Sequence, residues 1–301
     1  ILPLTIIKLV YRGIKNKDYL KGWPERFAIY PNSEKNKWLK RKTLWIHCVS
    51  VGETKAIYRL LEQLQKKYPR AHFLITHGTP TGKKVALPKN KNIHRAYLPY
   101  DAFDLVKRFL KFYKPTSGIL LEKEIWPNLI SQCSHKKIPL LLINGRLSNE
   151  SIENYKRFKK FYAPLLNKLS TICVQGESDK KNFEQLTINK IQVMGNLKFD
   201  QIPPKETEQN SKKMKHDLMI KDQIVIVAGS TREGEEEIIL NEILKMNKKN
   251  ISLILTPRHP ERFSKVESLL KSKNVKFAKR SESSSIKSTP NFILGDSMDE
   301  M

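Results

Sequence analysis

From Leu44 to Glu53 the chain reads Leu-Trp-Ile-His-Cys-Val-Ser-Val-Gly-Glu. The largely apolar run Leu44 to Val51 is short enough for a strand buried on both faces, and Gly52 ends it with a turn. From Thr54 the spacing turns helical, with Ala56, Ile57, Leu60, Leu61 and Leu64 on one face. Glu53 is thus predicted at the carboxyl end of a strand, where a helix begins. In open α/β sheets ligands bind at that edge. A carboxylate there also suits the positive end of a helix dipole, so position alone leaves a structural and a chemical reading open.

The strand–helix rhythm continues. Strands are predicted at 72–76, 95–98, 117–121, 139–143, 171–174 and 190–194. Helices are predicted at 102–113, from about 126, and as one long helix at 151–169. This order requires a parallel sheet with helices on both faces. Gln201-Ile-Pro-Pro204 and the charged run Lys205 to Lys215 read as a boundary and a connecting helix. A second α/β pattern follows, with strands at 224–227, 252–255, 275–278 and 292–294 and helices at 235–246 and up to about 271. Ser281 to Ser288 reads as a flexible loop. The expected organisation is an N-terminal segment 1–20, an α/β domain 21–203 and a second α/β domain 204–301. With about 80 residues past its first strand, the second domain is expected to be partial, since such domains commonly need about 100–150.

Lys plus Arg number 56 against 30 for Asp plus Glu, a net charge of +26 over 301 residues. The excess points to nucleic acid, an acidic membrane surface or phosphorylated substrates. The nucleic-acid branch lacks any RNP-like, KH-like or helix-turn-helix pattern, so no nucleic acid is expected as a partner. Cys48, Cys133 and Cys173 lie far apart in apolar stretches and read as buried free thiols in a reducing compartment. The seven histidines show no HExxH or other ligand spacing, and neither a metal nor a cofactor is expected. Ile1 to Val10 is apolar, lacks an initiator Met and runs into Tyr11, Arg12 and several lysines. It is shorter than the about 20 residues of a bilayer span, so it reads as the end of a membrane helix, an interfacial segment or an ordinary buried helix.

Polar residues at the strand carboxyl ends of the first domain are Ser50, Glu53, Asp101, Glu122, Glu124, Asn144, Arg146 and Lys198. Three βα junctions are thus expected to bring carboxylates to one sheet edge, where they raise one another's pKa unless something uses them. A general base and a stabiliser of developing positive charge would be such a use. In the second domain Gly229, Ser230 and Thr231 read as a turn offering backbone N–H groups to an anion. Arg258, at the tip of a buried strand, is placed to clamp a phosphate. Each also fits an ordinary polar loop. On residues alone, the reading reaches an α/β transferase or hydrolase.

Ten stretches go further: Trp23-Pro-Glu-Arg-Phe27, His47-Cys-Val-Ser-Val-Gly-Glu-Thr54, Thr79-Pro-Thr-Gly82, Tyr97-Leu-Pro-Tyr-Asp101, Leu121-Glu-Lys-Glu-Ile-Trp-Pro-Asn128, Asn144-Gly-Arg-Leu-Ser148, Gly195-Asn-Leu-Lys-Phe-Asp200, Gly234-Glu-Glu236, Pro257-Arg-His-Pro-Glu-Arg-Phe263 and Gly295-Asp-Ser-Met298. In this order they resemble the 3-deoxy-D-manno-octulosonic acid (Kdo) transferases of lipopolysaccharide synthesis. The resemblance implies a GT-B glycosyltransferase with two Rossmann-like doubly wound domains facing across a cleft. It implies an inverting, metal-independent transfer of Kdo from CMP-Kdo to a lipid A precursor (lipid IVA). It implies work at the cytoplasmic face of the bacterial inner membrane, with the chain anchored N-terminally or peripheral on the anionic surface. Carried over by motif, Glu53 is the proton acceptor, and Glu122 and Lys198 are the transition-state stabilisers. Pro257, Arg258, Met298, Asp299 and Glu300 match donor-nucleotide positions. The family usually has Gly where Asp299 stands, which adds negative charge beside a nucleotide site. Its Gly-Gly-Ser and Asn-x-x-Glu segments would follow Met301, so weak CMP-Kdo binding and little activity are expected of residues 1–301. Other GT-B nucleotide-sugar transferases or epimerases, or a non-catalytic basic membrane- or nucleic-acid-binding remnant, are the competing readings.

Overall fold

A computed structural model describes residues 17–31, 42–200, 206–220, 223–246, 250–286 and 288–297, with isolated positions 9, 11, 13, 14, 33, 38 and 248. The chain divides into two compact units, residues 1–202 and 203–301. Apart from Leu9, the apolar stretch Ile1–Val10 lies outside the described residues. Among the described residues no helix is long and apolar enough to cross a membrane.

Unit 1 holds a seven-stranded sheet of β1 (Thr43–Cys48), β2 (His72–His77), β3 (Ile93–Tyr97), β4 (Ser117–Leu121), β5 (Leu140–Gly145), β6 (Thr171–Val174) and β7 (Ile191–Val193). The strands are parallel, in the order β3-β2-β1-β4-β5-β6-β7. The order reverses between β1 and β4, so the crevice outside their carboxyl ends is the place where such a sheet binds ligands.

The central strands are apolar on both sides because helices cover both faces. Alternate residues of β1 feed two cores. Trp45 joins Leu74, Phe109, Leu120 and Leu142 on one side. Ile46 and Cys48 join Ile57, Leu61, Phe73 and Ile75 on the other. Each such side chain contributes about 1.5–3 kcal/mol by leaving water. Gly118 on β4 is required by Trp45, since a Cβ there would lie 2.6 Å from the indole Cε3.

Unit 2 holds a four-stranded parallel sheet of β8 (Ile224–Thr231), β9 (Ile251–Pro257), β10 (Ala278–Lys279) and β11 (Phe292–Leu294), ordered β10-β11-β9-β8. Leu240, Leu253, Leu255, Val266, Leu270 and Leu294 form its larger core cluster. The connecting helix is Glu206–Asp217.

Several elements differ from the sequence reading. The single helix expected over 151–169 is two, Asn149–Arg157 and Lys159–Leu166, broken at Phe158 (φ −112°, ψ 31°). Pro164 sits inside the second, where it cannot donate to the preceding turn. A helix at Glu177–Glu184, unread in the sequence, precedes β7. The strand expected at 275–278 is confined to Ala278–Lys279. The segment expected as a flexible loop begins instead with a 3-10 turn, Arg280–Ser285. Asp296 holds it, accepting the Ser281 N–H at 2.8 Å and the Ser281 hydroxyl at 2.6 Å.

Candidate active site

After β1 the chain turns into the helix Val51–Ala56, three residues earlier than its apolar spacing predicts. Ser50 is the reason. Its Oγ accepts the Glu53 N–H at 3.3 Å and caps the helix. Glu53 reaches back in turn. Its Oε2 accepts the Val49 N–H at 2.7 Å, and its Oε1 accepts the Ser50 hydroxyl at 3.2 Å. This is a capping box whose return bond lands on Val49, and the Ser-x-x-Glu spacing was its readable signal. Glu53 is therefore locked in one place by its own helix start.

Glu53 as a residue is 7% exposed. Among the described residues it pairs with no cation. Burial pushes its pKa up to about 7; the Val49 and Ser50 hydrogen bonds oppose the rise, and the charges of Glu124 and Glu122 add to it. Glu124 is raised as well, first by burial, while the Trp126 indole N–H, donated to its Oε2 at 2.7 Å, pulls the other way. Glu122 follows β4 with φ 55°, and its N–H is held by the Ile143 carbonyl at 3.1 Å. A non-glycine residue held in that region costs on the order of 1–3 kcal/mol.

Lys198 lies in a 3-10 turn, Leu197–Asp200, that touches the Val51–Ala56 helix. Its side chain is exposed. Asn144 anchors the turn by accepting the Leu197 N–H on Oδ1 at 3.1 Å. Asn144 is itself fully buried at the end of β5 with φ 53°, a conformation that Asn tolerates. Gln175 donates to its carbonyl at 3.2 Å and accepts from Asn196 at 3.3 Å. Arg146, one turn beyond, is solvent-exposed.

Asp101 corrects the sequence reading. Its Oδ2 and Oδ1 accept the Asn128 and Leu129 N–H groups at 3.0 and 2.9 Å, so it caps the helix Pro127–His135. Both oxygens are occupied by that cap. Two junctions, after β1 and β4, supply the clustered carboxylates where three were expected.

Two buried histidines had no assigned place in the sequence. His47 is held by Thr76, with Nδ1 3.0 Å from Oγ1, and burial pulls its pKa down to about 4. His77 falls to about 3, through burial and then the charge of Arg95, whose Nε lies 3.3 Å from its Nε2. Both stay neutral at neutral pH. The available signal was a polar residue inside an otherwise apolar strand.

In unit 2, Gly229–Thr231 is not the turn expected. The strand β8 continues through Thr231, with a register shift against β9 and Ser230 at φ 58°. The bulge interrupts the pairing with β9 at Ser230, and Gly229 and Ser230 are exposed. Pro257 ends β9, and the exposed Arg258 donates its N–H to the Thr231 carbonyl at 3.0 Å. Beneath this loop, Arg262 grips Glu236 at two points, 2.9 and 3.0 Å. The same carboxylate accepts the Thr231 hydroxyl at 2.6 Å. Burial pushes Glu236 up, but Arg262 and Thr231 prevail and hold it below the usual carboxylate range. Glu236 and Arg262 fall within the motifs Gly234-Glu-Glu236 and Pro257-Arg-His-Pro-Glu-Arg-Phe263, but their contact is not encoded in the spacing. Met298, Asp299 and Glu300 lie outside the described residues. Among the described residues no cluster of three or more His, Cys, Asp or Glu side chains could hold a metal ion.

Two parallel α/β sheets in successive units place the chain in the GT-B fold class. The UDP-GlcNAc 2-epimerase from Neisseria meningitidis, solved bound to UDP-GlcNAc, shares the fold at TM-score 0.54 and 16% identity, over 86% of this chain and 72% of that one. Sequence comparison narrows the class: residues 21–201 match the family model for 3-deoxy-D-manno-octulosonic-acid transferase (kdotransferase). A 3-deoxy-D-manno-octulosonic acid transferase of Haemophilus influenzae is 33% identical over 99% of this chain and 70% of its own length. One from Rickettsia bellii is 34% identical over 88% of this chain and 63% of its own length. The chain belongs to the Kdo transferase family, a family of glycosyltransferases, and spans about two thirds of the length of these relatives.

Proposed function

We propose that the protein transfers Kdo from CMP-Kdo to a lipid A precursor, with inversion in a single displacement, at the anionic cytoplasmic face of the inner membrane. Glu53 takes the proton from the attacking sugar hydroxyl. A carboxylate with a pKa near neutrality both accepts a proton readily and exists in its basic form at working pH. Glu122 faces the oxocarbenium-like centre that develops as the bond to CMP breaks. Lys198 and Arg258 offset the negative charge of the departing phosphate and of the Kdo carboxylate. Pro257, Arg258, Met298, Asp299 and Glu300 are all assigned to the donor nucleotide by motif, and of these Pro257 and Arg258 lie among the described residues.

One observation carries this reading: Glu53 is buried beside two other acids without a cation among the described residues. A carboxylate serving only to cap a helix gains nothing from that company. The test compares the full-length protein with its Glu53→Ala variant, using CMP-Kdo and a tetra-acylated lipid A precursor. Loss of a general base lowers kcat about 10²–10⁴-fold. Undiminished turnover removes Glu53 from the mechanism. In the wild type, kcat/KM rises with pH through about 7 as Glu53 loses its proton; a profile flat across that range contradicts the assignment.

A further inference from the structure

The break between the helices Asn149–Arg157 and Lys159–Leu166 exposes six consecutive residues, Lys156-Arg-Phe-Lys-Lys-Phe161. Phe158 and Phe161 are 59% and 53% exposed. Phe161 is held edge-on against Tyr162 at 5.1 Å, and Tyr162 packs on Tyr155 at 4.5 Å. Lys156 shares its charge with Glu153 at 3.0 Å. Among the described residues, Arg157, Lys159 and Lys160 pair with no carboxylate.

We propose that this kink is where unit 1 docks on an anionic lipid leaflet, the two rings entering the acyl boundary and the cations meeting lipid phosphates. Exposed rings interleaved with basic residues are the combination that the membrane interface rewards. The location gives the contact a purpose. The first helix starts just past the carboxyl end of β5, and Lys123, next to Glu122, donates to its Ser151 hydroxyl at 3.3 Å. The helix that leads to the patch thus starts at the carboxyl edge of the sheet that carries Glu53. The docking surface builds on the reading of a lipid acceptor held in a charged leaflet, and it supplies what that reading lacks, the residues that make the contact.

The test uses the full-length protein, a Lys159→Gln/Lys160→Gln variant and a Phe158→Ser/Phe161→Ser variant, sedimented with phosphatidylglycerol-containing or pure phosphatidylcholine vesicles. Each lysine removed weakens binding to the anionic vesicles about fivefold, so the double variant falls about 25-fold. The phenylalanine variant loses binding that added salt does not mimic. Turnover of detergent-dispersed acceptor stays at the wild-type level in both, while turnover of vesicle-embedded acceptor falls with binding. Wild-type sedimentation of either variant overturns the proposal. So does a loss confined to single-stranded DNA binding, which would make the patch a nucleic-acid surface. If no acceptor receives Kdo but patch-dependent vesicle binding persists, the functional reading fails and the docking surface stands. Normal turnover with patch-independent binding does the reverse, removing the docking surface and leaving the transferase reading in place.

Discussion

The carboxyl edge of the first sheet and the β8–β9 edge of the second treat buried acid in opposite ways. In unit 2, Glu236 is fully compensated: Arg262 at two points, Thr231 at a third. In unit 1, Glu53 has two hydrogen bonds, no cation among the described residues and two acidic neighbours. The adjacent Glu122 sits in a backbone region that costs free energy. One edge is built for stability and lowers its acid's pKa; the other stores unfavourable free energy and raises it. Such unfavourable arrangements cluster where chemistry is done.

The contrast predicts opposite responses to substitution. The largest effect belongs to the compensated edge. Glu236→Ala leaves the half-buried Arg262 without its carboxylate and the Thr231 hydroxyl without its acceptor, and lowers the stability of unit 2 in urea denaturation. Replacing both partners, as Glu236→Met with Arg262→Leu, costs far less, because no charge is left alone. Equal losses from the single and double variants would contradict the role of the pair.

An intermediate effect is expected at the uncompensated edge, with opposite sign. Glu53 binds its proton up to a pH of about 7 in the folded protein, against 4.5 for an ordinary Glu. Between those values the folded chain keeps a proton that the unfolded chain has released. The stability from this group is therefore full below about 4.5 and is lost as pH rises through about 7. Glu53→Gln removes that slope and, at pH 8, gains on the order of 1–3 kcal/mol while turnover is lost. Melting curves of both proteins from pH 4.5 to 8 check the sign; parallel curves would sink it.

The smallest effect sharpens the same point. Glu122→Gly relieves the left-handed backbone, and the greater entropy of unfolded glycine offsets part of the relief. A net gain of about 0.5–1 kcal/mol is expected, together with a lower kcat. A variant that is both less stable and fully active would place Glu122 among ordinary structural residues.

Much of this was legible in the chain. The apolar runs around Ile46, Ile119 and Leu142 specify buried parallel strands because hydrophobic periodicity is local. The position of Glu53 at a strand end follows from that periodicity with no tertiary information. The ordered motifs carried the family. The helix start at Val51 was also legible, in Ser50-x-x-Glu53, but apolar spacing pointed later because capping acts before the first buried residue. Asp101 was misread for a related reason. A carboxylate at a strand end looks the same in sequence whether it faces a substrate or caps a helix some 26 residues further on.

The sequence alone determined the two α/β patterns, the strand ends that carry Glu53 and Glu122, and the family, since each depends on residue order and short-range spacing. Tertiary structure alone decided which acids are compensated. Whether Arg262 reaches Glu236, or Glu53 is left with two carboxylates and no cation among the described residues, is settled by which elements lie side by side. A pKa depends on distances through space and on water excluded by the whole fold, and neither is written in the spacing of residues along the chain.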